Sequence, residues 1–135
     1  MTERSTNSIT VLKYTAMLCG ALVDQYIRES TRMAEKTLES RPNSKSTKER
    51  LEHLKLGITK VSFIFETGRK YHKILQMDHN GGKSTHAFID KETGDVYKPA
   101  SHKSPAKGVR YNLLEEESRE ECLSKADWAG GYLYL

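Results

Sequence analysis

The sequence predicts an α+β protein: long N-terminal helices, an antiparallel β-meander, a basic loop, a short C-terminal helix and an aromatic tail. Three observations carry this. Apolar residues recur at helical spacing from Ile9 to about Leu38. Strand-patterned segments then follow one another across hairpin-length connections, which implies a meander. Helices first and strands after is the order of an α+β chain. The 135 residues fit one domain, 1–135, with a helical part over 8–57 and a sheet part over 58–135. That length can bury a core without disulfide staples.

Asn7 and Ser8 precede the first apolar stretch and are residue types that cap helices. Val11, Tyr14 or Thr15, Leu18, Leu22, Tyr26 and Met33 recur at helical spacing, while Leu12, Met17, Ala21 and Val23 make the other sides apolar as well. A helix apolar all round is buried or paired with another chain. In a protein this small it reads as an oligomer contact; the alternative is a long core helix flanked by the sheet. Arg41-Pro42 breaks it, because proline disfavours a helical residue before it. Ser46 and Glu49 offer a weak capping box for a second helix, which runs to about Leu56 and stops at Gly57.

Ile58–Glu66 alternates Val61, Phe63 and Phe65 with mostly polar or smaller residues, a strand pattern. Thr67-Gly68 turns the chain into a second strand, Lys70–Asp78. His79-Asn80-Gly81-Gly82 is a strong turn before a third, Ser84–Asp90. Lys91-Glu92-Thr93-Gly94 turns into a short fourth, Asp95–Lys98. Pro99, Pro105 and Gly108 make 99–110 an irregular loop. Leu114–Ala126 has acids in its first turn and Lys125 in its last, the polarity a helix favours.

The 22 Lys and Arg against 18 Asp and Glu give a net charge of +4 and a pI near 9.0. The charge is uneven. Residues 41–50 carry four basic side chains and one acid, and 98–110 carry Lys98, Lys103, Lys107 and Arg110 with no acid. Glu115, Glu116, Glu117, Glu120, Glu121 and Asp127 then reverse the sign. Opposed patches suit a polyanion on one face and a partner on another. No apolar run approaches the roughly 18 residues of a membrane span, so no membrane is expected. Met1–Asn7 lacks the layout of a signal peptide. Cys19 and Cys122 lie far apart and read as unpaired thiols in a reducing compartment.

Catalytic signals are poor. No phosphate loop, HExxH, CxxC or nucleophile elbow is present. Gly81-Gly82-Lys83-Ser84 resembles the end of a phosphate loop, but the upstream glycine is missing and strands flank it. His72, His86 and Asp90 could meet on neighbouring strands as a metal site, although dispersed histidines more often serve surface or core. The expectation is no enzyme, no cofactor and no metal.

Binding signals are better. The meander interleaves Arg69, Lys70, Tyr71, His72 and Lys73 with His86, Phe88, Tyr97 and Lys98. Strand alternation puts Tyr71 and Lys73 on one face, His72 and Ile74 on the other. Rings can stack on bases while cations meet phosphates, the way a sheet holds a single nucleic-acid strand. The loop adds Lys103, Lys107, Arg110 and the following Tyr111. Phe63 and Phe65 read as core.

Four segments carry a resemblance: GRKYHKIL at 68–75, STHAFIDKETGDVYKPAS at 84–101, PAKGVRYNLL at 105–114 and ADWAGGYLYL at 126–135. Together they cover about half the chain. They resemble a family of small proteins from lytic tailed phages, similar to the Drc-type single-stranded-DNA-binding transcription regulators of podoviruses. The resemblance implies an oligomeric binder of single-stranded DNA in the host bacterial cytoplasm, acting in transcription or replication beside a phage RNA polymerase. By matching positions it implies Arg69, Lys70, Tyr71, Lys73, Lys98, Lys103, Lys107 and Arg110 as candidate DNA contacts, joined from the residue reading by Phe88, Tyr97 and Tyr111. The sequence departs from the pattern at His102, where tryptophan is expected after KPAS. The rival expectation is a phage protein that binds and inhibits a host enzyme or defence protein.

Overall fold

The computed structural model describes residues 2–135, with side chains described from Thr6 on. Met1, part of the segment read for a signal peptide, lies outside the described residues. The first helix, α1, spans Thr2–Ser40. Asn7 and Ser8 therefore sit inside it rather than at its cap. Neither proline nor glycine interrupts residues 2–8, and the Thr10 hydroxyl donates back to the Thr6 carbonyl one turn earlier.

Val11, Thr15, Leu18 and Leu22 form the fully buried stripe of α1. Thr15 is the polar member, and its Oγ1 donates to the Val11 carbonyl at 2.8 Å, which removes the cost of burying the hydroxyl. The opposite side stays open: Ile9 is 67 % exposed, and Leu12 and Met17 are exposed too. Met33, grouped by spacing with the buried residues, is exposed as well, and Ser30 and Ala34 are buried in that half instead.

Arg41 N–H still reaches the Thr37 carbonyl, and the chain then turns into α2, Lys45–Lys55. Its cap is Ser44, two residues before the expected one: Ser44 Oγ accepts the Thr47 N–H, an N-cap bond that needs no glutamate three residues on. Leu54 is the buried residue of α2, which packs against α1.

Five strands follow in sequential order, each antiparallel to the next: β1 Val61–Thr67, β2 Tyr71–Asp78, β3 Lys83–Asp90, β4 Asp95–Tyr97 and β5 Tyr111–Asn112. Ile58 lies before β1 and is exposed. The fifth strand, only two residues long, is absent from the sequence expectation, since alternation has no period to show over that length.

Register sorts the side chains into two faces. Phe65↔Ile74, His72↔Ile89, Ile74↔Ala87, Ile89↔Val96 and Val96↔Tyr111 build the inner face. Lys73↔Phe88 and Phe88↔Tyr97 build the outer one. The β2–β3 register shifts between Ile74 and Leu75, so that Ala87 pairs with Ile74, Thr85 pairs with Leu75, and His86 has no cross-strand partner. Such a bulge re-aims a side chain. Here His86 reaches the core, edge-on to Phe63 at 5.3 Å.

α1 and α3, Glu116–Lys125, contribute to the core against the inner face. Arg119 ties them together: its guanidinium sits 4.2 Å over the Tyr14 ring while Nη1 donates to the Leu113 carbonyl. Beyond α3 the tail folds back. The Asp127 carboxylate accepts the N–H groups of Gly131 and Tyr132, starting a 3-10 turn at Gly131–Leu133 that buries Tyr132 and Leu133. Trp128 packs edge-on against Tyr26 at 5.4 Å, and its N–H bonds Gln25. The tail is thus part of the core, while Tyr134 and Leu135 remain outside it.

Candidate nucleic-acid interface

The β1–β2 connection is tight, with Gly68 N–H donating to the Tyr71 carbonyl, and it holds Arg69 and Lys70 out in solvent. Strand alternation then brings Tyr71 and Lys73 onto the outer face beside Phe88 and Tyr97. These rings contact one another edge to face: Tyr71 lies 5.6 Å from Phe88 and 6.1 Å from Tyr97. Lys73 Nζ stands 5.8 Å from the Phe88 centroid and Lys70 Nζ 5.5 Å from that of Tyr71.

The basic loop is irregular but held by bonds of its own. A bridge between Pro99 and Pro105 closes it, and the Ala106 N–H bonds the Lys98 carbonyl. Within it, Ser101 Oγ accepts the N–H groups of Lys103 and Ser104. Thr85 Oγ1 on β3 donates to the His102 carbonyl at 3.4 Å, which pins the loop to the sheet. His102 itself is exposed.

The result is a cleft of about 430 Å3 lined by Glu66, Thr67, Gly68, Arg69, Lys70, Tyr71, Lys73, Phe88 and Lys103. Four cations from two segments face one acid, and that acid, Glu66, has Lys83 3.7 Å away. Six residues named from sequence meet here: Arg69, Lys70, Tyr71, Lys73, Phe88 and Lys103. Glu66, Thr67 and Gly68 were missed; the hairpin turn ahead of Arg69 was the available signal.

Phe88 serves the cleft only as packing, and the remaining predicted residues lie outside it. Phe88, though in the cleft wall, is only 2 % exposed, so its ring offers no stacking face. Tyr97 is half-buried, and burial together with the Asp95 carboxylate pushes its hydroxyl above the ordinary tyrosine range. Lys98 lies 4.2 Å over the Tyr134 ring, beside a second cleft of about 330 Å3 that Trp128 and Tyr134 also line. Lys107 is exposed on the loop outside the cleft. Arg110 is half-buried, its N–H bonds the Val96 carbonyl, and its Nε is buried with no partner among the described residues. Tyr111 is core: it is 3 % exposed and its hydroxyl donates to the Tyr132 carbonyl. Its placement follows from the missed strand β5, which turns it inward.

His72, His86 and Asp90 have separate structural partners. His72 Nδ1 shares a 2.9 Å bond with Thr67 Oγ1, His86 Nε2 a 2.8 Å bond with Tyr132 Oη, and Asp90 Oδ1 accepts the N–H groups of Glu92 and Thr93. Burial lowers both histidines, His86 to about 4. Among the described residues no group of three His, Cys, Asp or Glu could hold a metal ion. Burial pushes the Cys19 and Cys122 thiols up to about 12, far from the reactive thiolate form. Gly81-Gly82-Lys83-Ser84 joins β2 to β3, with the Asp78 carboxylate accepting the Asn80 and Gly82 N–H groups. The acids of 115–121 are exposed on and just before α3. No helix among the described residues is long and apolar enough to cross a membrane.

Chemically the cleft suits an anion. Three ammonium groups and a guanidinium offer donors without acceptors, and the guanidinium can grip a phosphate bidentately. Comparison with curated proteins and with solved structures finds no match. A family model matches residues 1–135, the whole chain, and the protein belongs to that family, described as a family of unknown function (DUF7717).

Proposed function

We propose that the protein binds single-stranded DNA at the outer-face cleft, largely without sequence preference. One observation supports this most: Arg69, Lys70 and Lys73 from one hairpin and Lys103 from the basic loop line one cleft with the Tyr71 ring in its wall. Its volume is within the range of small-molecule sites, so it admits a nucleotide of a flexible strand rather than the body of a duplex. Cations that hold phosphates give affinity but read no sequence. Tyr71 is the ring best placed to stack on a base, a contact worth roughly 1–3 kcal/mol. With so few rings available, phosphate contacts dominate and binding is strongly salt-dependent.

The setting in phage transcription or replication rests on the sequence resemblance alone, and so does a phage RNA polymerase as partner. The exposed acids of 115–121 are the surface such a partner would meet. Self-association belongs to the same reading, through the open side of α1, where Ile9, Leu12 and Met17 are uncovered.

Fluorescence anisotropy with a labelled single-stranded oligonucleotide tests the site. The double variant Arg69→Ala/Lys103→Ala weakens binding at least tenfold while leaving the circular dichroism spectrum unchanged. Unchanged affinity in a folded double variant contradicts the cleft as the site.

A further inference from the structure

A third cleft, on another part of the molecule, has the character of a binding site. It measures about 470 Å3 and lies where α1, α2, the segment before β1 and the β2–β3 turn meet. Tyr26, Leu54 and Ile58 give it an apolar lining. Around them converge Glu49, Arg50 and His53 of α2, Lys60 before β1, and His79 of the β2–β3 turn. The His79 N–H donates to the Lys60 carbonyl at 2.8 Å, which fixes the turn against the segment bearing the lysine.

On the sheet, polar side chains find partners within the chain: Thr67 with His72, His86 with Tyr132, Asn112 with Asp95. In this cleft Ser46 and Thr59 do so as well, with Ser44 Oγ and the Val61 carbonyl, but the charged and imidazole groups do not. Among the described residues, none of Glu49, Arg50, His53, Lys60 and His79 makes a side-chain hydrogen bond or ion pair with the rest of the chain. Two fixed cations against one carboxylate leave a net attraction for anions, with two imidazoles beside them as hydrogen-bonding groups. Among the described residues the histidines and the carboxylate form no metal site. An apolar lining beside convergent cations is the layout of a site for an amphipathic anion.

We propose that this cleft binds an organic phosphate, with Arg50 and Lys60 on the phosphate and Tyr26, Leu54 and Ile58 against an apolar or planar body. The proposal is independent of the strand-binding cleft, since the two share no lining residue. The phosphate ester has two natural sources, a free mononucleotide and the 5′ end of a strand.

Proton NMR of the five histidines of the full-length protein tests it, with adenosine monophosphate and inorganic phosphate as probes at constant pH. The expected result is saturable shifts confined to the His53 and His79 ring protons, with His72, His86 and His102 still. Adenosine monophosphate saturates them at a concentration at least tenfold lower than inorganic phosphate. Arg50→Ala raises that concentration at least fivefold, and Arg69→Ala/Lys103→Ala leaves it unchanged, which separates failure here from failure of the strand-binding site. A 5′-phosphorylated trinucleotide matching the mononucleotide assigns the ligand to a strand end; a much weaker trinucleotide assigns it to free nucleotides. Absence of saturable shifts up to about 10 mM adenosine monophosphate, or equal affinity for inorganic phosphate, overturns the proposal.

Discussion

His86 and Tyr132, 46 residues apart in the chain, share a 2.8 Å hydrogen bond inside the core, their rings stacked at 5.6 Å. The β3 bulge aims the histidine inward, and the Asp127-capped turn supplies the tyrosine. The bond therefore ties the C-terminal tail to the middle of the sheet. The ring is held neutral: burial pulls its pKa from about 6.5 to about 4, against the weaker opposing pull of Asp127.

That neutrality sets a pH dependence. Below about pH 6.5 the unfolded chain takes up a proton at His86 that the folded chain refuses, so stability is full above 6.5 and falls as pH drops toward 4. The loss from this group is about 3 kcal/mol over that window. His72, also lowered by burial, acts in the same direction. Urea unfolding between about pH 7 and pH 4.5 should show the decline, with a shallower slope for His86→Gln. Identical slopes would contradict a neutral, buried His86.

Gly94 and Gly81 both have positive φ, +78° and +86°, but their surroundings differ. A Cβ at Gly94 would stand 3.2 Å from both Leu114 Cγ and Leu114 N, whereas one at Gly81 meets nothing within 4 Å. Gly81→Ala should cost only the left-handed backbone penalty, roughly 1–2 kcal/mol. Gly94→Ala adds a clash with the segment leading into α3 and should cost clearly more. Denaturation midpoints of the two variants check this, and equal losses would remove the packing argument.

Removing cleft cations should flatten the salt dependence of DNA binding. For a single strand, the slope of log affinity against log salt falls by roughly 0.7 for each phosphate the protein no longer neutralises. Arg69→Ala and Lys103→Ala should each have this effect, while Lys107→Ala should not, because that lysine lies outside the cleft. A salt titration of the three single variants decides it, and a Lys107 effect as large as that of Lys103 would move the path of the strand.

The open side of α1 should mediate self-association. Ile9, Leu12 and Met17 are uncovered, and among the described residues nothing beyond the helix's own neighbouring backbone stands within 4 Å of where a Gly20 side chain would begin. Sedimentation velocity at micromolar concentration should show an assembly that Leu12→Glu dissociates. A monomer for the unaltered chain would leave that face without this role.

Much of the fold was legible because local signals and tertiary structure agree. The alternation of Val61, Phe63 and Phe65, and glycine-bearing turns at Gly68, Gly81 and Gly94, mark the meander. The misses have physical causes. Helix α1 runs back to Thr2 because a capping residue type is only a permission to start, and Asn7 and Ser8 fit a helix interior. Tyr111 reads as a surface ring in the sequence because strand β5 is two residues long and follows its partner β4 only after the irregular 98–110 loop. Phe88 lies on the expected face, yet Tyr71 packs beside it and Lys73 stands over its ring, which alternation alone cannot reveal. The cleft was half legible: the Arg69–Lys73 run showed its cations, while the arrival of Lys103 depends on a loop closed by Pro99 and Pro105. The cleft at His53 and His79 had no sequence signal, since helix packing brings its lining together.

The proposed site should prefer an unpaired strand to a duplex. The most direct test is anisotropy of the unaltered protein with single-stranded and double-stranded oligonucleotides of equal length across a salt series. Tighter binding to the single strand is expected, with the preference persisting at moderate salt because a ring contact supplements the phosphates. Equal, weak binding to both that vanishes with salt would contradict it, and would leave the cationic cleft to an acidic protein surface.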